Sequence, residues 1–217
     1  MKVLVIAPHP DDEVLGCGGT IAKHAQAGDE VHLCIVTQAY TPDWSEEFLR
    51  NRPAEIESAR NTLGIKQVHL LGFPTVKLDT VPQKTLNDSL EAVFETVGPD
   101  VVYVPHHGDI NMDHRIVFES CMVALRPIRR GVRRVLSYET LSETEWSMPA
   151  TPFLPNVYTD ITGTIEKKTE AMKIYKSEIK QAPHPRSVEI IEALAKKRGS
   201  EVNVMFAEAF MLVRETV

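Results

Sequence analysis

The chain has 217 residues, of which 43% are hydrophobic and 25% are charged, and its formal net charge is −6. These values are typical of one soluble globular domain, so we expect a single domain over residues 1–217. The acidic balance is unlike the basic surface that nucleic-acid-binding proteins present to phosphates, so we expect no nucleic acid partner. No apolar run reaches the roughly 18 residues that a membrane-spanning helix needs, so we expect no transmembrane segment.

The cysteines and the N-terminus bear on the compartment. Cys17, Cys34 and Cys121 include no C-x-x-C pair, which argues against a thiolate zinc site. An odd number of widely spaced thiols is typical of a reducing compartment. The first apolar run is too short for a secretory signal peptide, and no small-residue cleavage site follows it. We therefore expect a cytoplasmic protein. Composition leaves the oligomeric state open, a homo-oligomer included.

Strand and helix patterns alternate along the chain. Residues 2–7 and 30–37 predict two buried strands, and the helix between them, over about 13–27, ends at Gly28. Pro53 suits the first turn of a second helix that ends at Gly64. The run 204–213 favours a last strand, antiparallel at an edge of the sheet, with a partly helical segment as the alternative. The other predicted elements are strands at 68–71, 101–104 and 134–138, helices at about 86–97, 114–125, 163–180 and 187–198, and a long ordered loop over 140–155.

This order predicts the fold class. Parallel strands joined by helical crossovers form a sheet that is covered by helices on both faces. We therefore expect a single-domain, Rossmann-like α/β fold with a mostly parallel sheet. Ligands of such sheets bind beyond the carboxyl ends of the strands.

The segment after the first predicted strand carries several potential metal ligands. It reads Pro8-His9-Pro10-Asp11-Asp12-Glu13, with an imidazole and three carboxylates in five consecutive residues. His9 and Asp12 together offer one nitrogen and one oxygen ligand, which suits zinc. The alternative is that Asp11 or Asp12 only caps the helix that follows.

A glycine cluster, Gly16-Cys17-Gly18-Gly19, lies inside the first predicted helix. A glycine-rich turn directly after a strand marks many dinucleotide sites, but here the glycines come late and G-x-G-x-x-G is absent. We expect these glycines to permit close helix packing or a close approach of the backbone to the site. A nucleotide- or sugar-nucleotide-binding module without hydrolysis is the alternative from another functional class.

A second polar segment follows the fourth predicted strand. Residues 105–114 read Pro-His-His-Gly-Asp-Ile-Asn-Met-Asp-His and hold three histidines and two aspartates. One of these histidines can complete a His-Asp-His set with His9 and Asp12. Three protein ligands leave a fourth position open, which is the pattern of catalytic zinc sites.

These motifs resemble a known family. Residues 7–13, followed by Gly16-Cys17-Gly18-Gly19-Thr20, look like the first motif of the PIG-L family of N-acetylglucosaminyl deacetylases, also called LmbE-like. The pair Asp113-His114 resembles the second motif, and the similarity extends to Ala-Glu-Ala-Phe at 207–210. The resemblance implies a zinc-dependent hydrolase that removes an N-acetyl group from a small amino-sugar substrate.

The family pattern also implies roles for individual residues. His9, Asp12 and His114 would hold zinc, and Asp11 would be the general base. Asp113 would orient the base or a nearby imidazole. Which native metal the chain carries, zinc or iron, stays open.

One position departs from the family pattern. Many relatives have a histidine three residues before the last metal ligand, where it polarises the carbonyl group, and this chain has Asn111 there. The Asn111 amide can still donate to an oxyanion, or His106 or His107 can take the role. Arg52 matches an arginine that precedes a helix in relatives and contacts substrate.

A third polar segment is His184-Pro185-Arg186-Ser187. Ser187 is suited to cap the helix that follows it. His184 and Arg186 are candidates to bind a hydroxyl, phosphate or carboxylate group at the mouth of the site, and both interpretations are compatible. An amidase that removes a larger acyl group or cleaves a thiol-conjugate amide at the same site is the second functional hypothesis.

Overall fold

A seven-stranded sheet organises the chain. The computed structural model describes residues 1–126, 131–147 and 149–217. Within these ranges the strands are β1 Lys2–Ala7, β2 Glu30–Gln38, β3 Gln67–Pro74, β4 Val101–Pro105, β5 Arg134–Tyr138, β6 Val157–Asp160 and β7 Ala207–Glu215. Their order across the sheet is β3-β2-β1-β4-β5-β7-β6. The first five strands run parallel, and β7 pairs antiparallel with both β5 and β6.

Helices cover both faces of this sheet. The helices of the described residues are α1 Asp12–Gln26, α2 Glu46–Leu63, α3 Gln83–Val97, α4 Met112–Ala124, α5 Ile165–Ile174 and α6 Val188–Ser200. Alternate side chains of β1 point to opposite faces, so Val3 and Val5 pack in one apolar core with residues of α1, α2, α5 and α6. Leu4 and Ile6 pack in a second core with residues of α3 and α4. The predicted Rossmann-like α/β fold class is therefore confirmed.

The sheet topology locates the edge at which a site can form. The chain leaves β1 toward β2 on one side, and β4 and β5 lie on the other side of β1. A reversal of this kind opens a crevice beyond the carboxyl ends of the two central strands. The segments that begin at Pro8 and His106 follow these two ends.

Several predicted elements have other bounds in the structure, among them β3, which extends over Gln67–Pro74 where 68–71 was predicted. Helix α2 begins at Glu46, seven positions before Pro53, because the Ser45 side chain caps it by accepting the N–H of Phe48. Pro53 therefore lies inside the helix and not in its first turn. The predicted helix over 163–180 extends only from Ile165 to Ile174. Strand β7 is antiparallel as predicted, but it is not at the edge, because the short strand β6 covers it.

The glycine cluster serves close packing of α1. A Cβ atom on Gly16 would lie 2.2 Å from the Tyr138 ring, and one on Gly19 would lie 2.8 Å from Ile161. Any side chain at these positions would displace β5 or the segment after β6. Across residues 1–126, 131–147 and 149–217, no helix has the length and apolar character needed to cross a membrane.

Candidate metal centre and active site

The adjacent ends of β1 and β4 bring the first two polar segments together. His9 lies two residues beyond β1, and Asp12 is the first residue of α1. His114 lies in the first turn of α4, after the loop that leaves β4. The His9 and His114 rings lie 5.3 Å apart between centroids. Residues separated by more than 100 positions in sequence therefore meet at one point.

His9, Asp12 and His114 form a group that can hold a metal ion. Oδ2 of Asp12 lies 3.2 Å from His9 Nδ1 and 3.2 Å from His114 Nε2. The three ligand atoms all lie within 4.8 Å of one another. Ligand atoms at about 2 Å from a tetrahedral zinc ion lie about 3.3 Å apart, so the spacing around Asp12 fits such an ion.

The other nitrogen of each imidazole has an aspartate partner. His9 Nε2 lies 3.0 Å from Asp113 Oδ2, and His114 Nδ1 lies 2.8 Å from Asp109 Oδ2. Thr144 donates its hydroxyl to the second Asp109 oxygen at 2.7 Å. Carboxylates in this position fix the ring orientation and tautomer of metal-binding histidines. The family resemblance implies an orienting role for Asp113, and in the structure Asp113 lies beside His9. Nothing in the sequence indicated such a role for Asp109.

One buried atom at this centre lacks a hydrogen bond. His114 is fully buried, and its Nε2 has no hydrogen-bond partner in the described structure. A buried polar atom without a partner costs about 1–3 kcal/mol, so such atoms are rare unless an ion or water satisfies them. Because this nitrogen faces Asp12 beside His9, a metal ion at the centre would satisfy it.

The electrostatics of the group favour positive charge. Burial by itself would lower the pKa of His9 and His114, but the neighbouring aspartates outweigh it and raise these values to about 9 and about 10. Burial would raise the pKa of Asp12, but the charge of His114 and the close contacts with both imidazoles hold it well below its usual range. A divalent cation would replace the protons that these two histidines otherwise hold.

Asp11 lies beside the group in an uncommon backbone conformation. Its φ angle is +126°, a region that residues other than glycine rarely adopt. Its side chain makes no capping hydrogen bond to α1, which excludes the simple helix-cap interpretation for this residue. The carboxylate instead accepts a hydrogen bond from Arg186 Nη1 at 3.1 Å. Burial and the charge of Asp12 raise the pKa of Asp11 well above its usual value, although Arg186 opposes the shift.

A buried glutamate holds this conformation in place. Glu13 Oε2 accepts the backbone N–H of Asp11 at 3.0 Å, and Glu13 Oε1 accepts the Tyr175 hydroxyl at 2.6 Å. Burial raises the pKa of Glu13 to about 7, against the opposing effect of the Tyr175 bond. Tyr175 follows α5 and lies far from the first motif in sequence, so sequence reasoning missed the pair. The one feature of the sequence that pointed to this pair was Glu13 itself, the third acidic residue of the first motif.

A cavity of about 330 Å³ opens onto these residues. Asn111, Arg52 and Arg186 line it together with His9 and Asp11. Arg52 donates to Glu178 at 2.7 Å, while its Nη1 makes no hydrogen bond in the described structure.

In the third polar segment, Arg186 lines the cavity and His184 lies at the surface. Arg186 reaches the cavity and also donates to Glu178 at 3.1 Å and Glu143 at 3.2 Å. Ser187 caps α6 as predicted, by accepting the N–H of Ile190. His184 is exposed and is not among the described residues that line the cavity.

Asn111, His106 and His107 are the candidates to replace the usual carbonyl-polarising histidine, and they differ in their position relative to the cavity. Asn111 lines the cavity and caps α4, because its Oδ1 accepts the N–H of Asp113 at 3.0 Å. His106 Nε2 lies 2.9 Å from the Thr151 carbonyl oxygen, and His107 packs between the His106 and Phe118 rings. Neither histidine is among the described residues that line the cavity. Position therefore favours Asn111.

A Rossmann-like sheet with a His-Asp-His group and a neighbouring acid at its switch point is an arrangement that can serve metal-assisted hydrolysis. Comparisons with known proteins identify the family. A family model described as GlcNAc-PI de-N-acetylase, PIG-L, matches residues 4–125, more than half of the chain. The chain belongs to the PIG-L family.

Individual relatives agree with this assignment. The chain is 30% identical over 184 residues to the uncharacterized deacetylase YaiS of Escherichia coli, covering 81% of this chain and 90% of that protein. It is 25% identical over 186 residues to a probable N-acetyl-alpha-D-glucosaminyl L-malate deacetylase 2 of Bacillus cereus, covering 81% and 83%. The crystal structure of the conserved protein TT1542 from Thermus thermophilus superposes with a TM-score of 0.81 at 28% identity, covering 99% and 96%. The two sequence relatives are named deacetylases, which are hydrolases of amide bonds, and the chain is an enzyme of this class.

Proposed function

We propose that the chain is a zinc-dependent hydrolase that removes the N-acetyl group from an amino-sugar compound of the N-acetylglucosamine type. The observation that carries the proposal is the convergence of His9, Asp12 and His114 next to Asp11, with His9 and Asp11 lining a cavity. When bound, zinc would supply a nucleophilic water at neutral pH, because it lowers the pKa of bound water to about 7. The names of the relatives support the acetyl group and the amino sugar.

Asp11 is the proposed general base. Its carboxylate adjoins the group of metal ligands without belonging to it, and it lines the cavity where the amide would lie. Asp11 accepts a proton as water attacks the carbonyl carbon, and a raised pKa suits a base that must later release that proton. Protonated Asp11, or a histidine, then delivers a proton to the leaving amine.

Asn111 is the proposed donor to the developing oxyanion. Its Oδ1 is occupied by the N–H of Asp113, which leaves the Nδ2 group to donate into the cavity. An amide donor aimed at an oxyanion acts by stabilising charge that develops only in the transition state.

Arg52, Arg186 and His184 are the proposed contacts to the rest of the substrate. Arg52 Nη1 makes no hydrogen bond in the described structure and lies 3.5 Å from Glu55 Oε2, so it can bind a substrate oxygen while its other nitrogen stays with Glu178. Arg186 positions Asp11 and is close enough to contact the same substrate. We assign His184 only to the mouth of the site, in keeping with its exposure.

The wider organisation is also a proposal. We infer that the family domain extends over residues 1–217, beyond the matched 4–125, because β7 and the Arg186 segment complete the sheet and the cavity. Cys17, Cys34 and Cys121 are buried free thiols, which favours a reducing compartment such as the cytoplasm.

A panel of N-acetylated amino sugars tests the function. The protein is freed of metal, reloaded with zinc or left metal-free, and assayed for released amine and acetate. The proposal predicts equal amounts of amine and acetate from at least one sugar, only with metal present. Release of a larger acid in place of acetate would favour the amidase hypothesis, and no amine from any N-acyl compound would contradict both.

A further inference from the structure

The cavity has two chemically different walls. Near the metal group it is polar, with His9, Asp11, Asn111 and Arg186. A second part of the lining, called the apolar wall below, consists of Ile35, Trp44, Phe48, Leu49, Ile56 and Leu70, and Arg52 lies against it with its guanidinium 4.3 Å from the Phe48 ring. Both walls belong to one continuous space, so a molecule whose amide reaches Asp11 also extends along the apolar wall.

Helix α2 and the outer strands build the apolar wall. Phe48, Leu49 and Ile56 recur along one side of α2, at spacings that place them on the same helix face. Leu70 extends from β3, the edge strand, and is 63% exposed although it is a leucine. Trp44 packs edge-on against Tyr40 in the loop before α2, with ring centroids 5.4 Å apart. The wall therefore combines aromatic and aliphatic groups, all of which except the buried Ile35 are at least partly exposed.

An unmodified sugar matches this wall poorly. Sugar hydroxyls that leave water for an aliphatic surface lose hydrogen bonds, and each unsatisfied hydroxyl is costly. An apolar group placed there gains free energy by leaving water. The wall therefore selects for a part of the substrate that has no polar groups to satisfy.

The charges of the cavity argue that this part is also uncharged. Arg52 is bound to Glu178, and Arg186 is shared among Asp11, Glu143 and Glu178. Both arginines that line the cavity are thus neutralised by carboxylates. A phosphate or carboxylate on the substrate would have to compete with these carboxylates.

We propose that the natural substrate carries an uncharged apolar substituent, aryl or alkyl, that binds against the apolar wall while its N-acyl amide lies at Asp11. The inference rests on the proposed hydrolysis of an N-acyl amino sugar and names the substrate class within it. Two positions can supply this chemistry: an apolar aglycone on an N-acetylated sugar, or a long acyl chain on the sugar nitrogen, and the second would make the reaction that of the amidase hypothesis.

Matched substrates separate these two sources. The zinc-loaded enzyme is assayed with N-acetylglucosamine, with its 4-nitrophenyl and hexyl glycosides, and with N-octanoylglucosamine. We expect kcat/KM to rise at least about tenfold for the glycosides or for the octanoyl compound, since burying about two methylene groups changes binding by that factor. Whichever compound gains identifies the position of the apolar group.

A matched pair of variants ties the preference to the wall. Leu70→Asn introduces polarity at a cavity position, whereas Leu154→Asn does so at a position that is 65% exposed and is not among the described residues lining the cavity. We expect Leu70→Asn to reduce several-fold the ratio of kcat/KM for the apolar compound to kcat/KM for N-acetylglucosamine, because the polar side chain disfavours an apolar group at that position. Leu154→Asn should preserve the advantage.

A binding measurement keeps the inference independent of turnover. The chain has two tryptophans, so Trp146→Phe leaves Trp44 as the single reporter. Hexyl glucoside, below the concentration at which it forms micelles, should shift Trp44 fluorescence to the blue, and glucose should not. Leu70→Asn should weaken this response.

The outcomes distinguish the two claims. Turnover of N-acetylglucosamine with no gain from any apolar group and no Trp44 response overturns the inference and leaves the proposed function standing. A Trp44 response without amine from any compound overturns the proposed function and supports the apolar site. Neither response nor turnover overturns both.

Discussion

Two buried charged clusters contact helix α1 and differ in how completely they are satisfied. In the metal group at the start of α1, His114 Nε2 has no hydrogen bond and Asp11 holds an uncommon φ angle. In the second cluster, at the middle of α1, Lys168 pairs with Glu208 at 2.6 Å. Lys168, Glu208, Asp12 and His114 are all buried, but the first cluster also includes the partly exposed His9, which lines the cavity of about 330 Å³.

The Lys168–Glu208 pair has a partner for each of its charged atoms. Lys168 Nζ also donates to the Leu15 carbonyl at 2.8 Å. Glu208 accepts the N–H of Gly19 at 2.9 Å and that of Thr20 at 2.7 Å. Side chains from α5 and β7 therefore satisfy backbone groups within α1. Burial of charge alone therefore does not mark a reactive site, whereas a buried ligand atom without a hydrogen bond, such as His114 Nε2, next to a cavity does.

The largest effect on activity should come from Asp11→Asn. The amide keeps the shape of the side chain but cannot accept a proton from the attacking water. Loss of a general base typically costs about 10²–10⁴ in rate, and we expect kcat to fall by that factor. Steady-state kinetics on a hydrolysed N-acetyl sugar, with zinc content and thermal unfolding measured in parallel, test this prediction.

The parallel measurements make the result specific. Zinc content and stability should stay close to those of the wild type. If zinc is lost with activity, Asp11 is a ligand and Asp12 becomes the candidate base. Activity within a few-fold of the wild type would direct the search for the base to Asp113, Asp109 and the histidines of residues 105–114.

The largest effect on stability should come from the other cluster. Lys168→Met keeps the length of the side chain but leaves Glu208 buried without its cation. Breaking a buried ion pair from one side costs about 3–5 kcal/mol, so we expect the free energy of unfolding to fall by that amount. Urea unfolding measures the fall, and kcat of the folded fraction should be unchanged.

Lys84→Met is the matched control for this variant. Lys84 forms an exposed ion pair with Asp88 one turn away on α3, and exposed pairs of this kind contribute about 0.3–0.5 kcal/mol. If both variants lost the same free energy of unfolding, the buried Lys168–Glu208 pair would stabilise the fold no more than the exposed Lys84–Asp88 pair. That result would contradict a structural role for the buried cluster.

We expect a smaller loss of activity when either arginine of the cavity, Arg52 or Arg186, is replaced. Arg52→Ala and Arg186→Ala each remove a charge-assisted contact, of a kind that contributes about 1.5–3 kcal/mol. We expect kcat/KM to fall about 10- to 100-fold while zinc stays bound, as such free energies imply. Kinetics on the preferred substrate, with elemental analysis of the same samples, measure both quantities.

Arg50→Ala is the control for the arginines. Arg50 lies on α2 near Arg52, but its side chain is 69% exposed and pairs only weakly with Glu46, at 3.6 Å. It should behave as the wild type. Wild-type kinetics in the Arg52 and Arg186 variants as well would remove both residues from the substrate site.

Much of the fold was predictable from local patterns, and the exceptions have identifiable causes. Strand β5 matches its predicted bounds and β1 does too, because each is a short apolar run with a clear stop. Ser45 is a typical N-cap residue and indicated that α2 begins at Glu46. Pro53 fits the first turn of a helix equally well, so the predicted start of α2 lay too far along the chain. The four-residue strand β6 lies in a proline-containing region and forms only because β7 offers it an edge.

The candidate site was predictable to the extent that it lies at strand ends. His9 and Asp12 follow β1 directly, so position and residue type together indicated metal ligands. Spacing alone could not choose among His106, His107 and His114, and only the family resemblance separated them. Glu13, Tyr175 and Glu178 depend on tertiary contacts between distant segments, which no local pattern encodes.

The measurement that tests the central claim most directly is the metal content of three proteins purified without added metal: wild type, His114→Ala and Asp11→Asn. The account predicts about one zinc per chain in the wild type and in Asp11→Asn, and the loss of most of it in His114→Ala, since that variant removes one of three ligands. Full zinc in His114→Ala, or none in the wild type even after zinc is supplied, would contradict the assignment of His9, Asp12 and His114 as the metal centre.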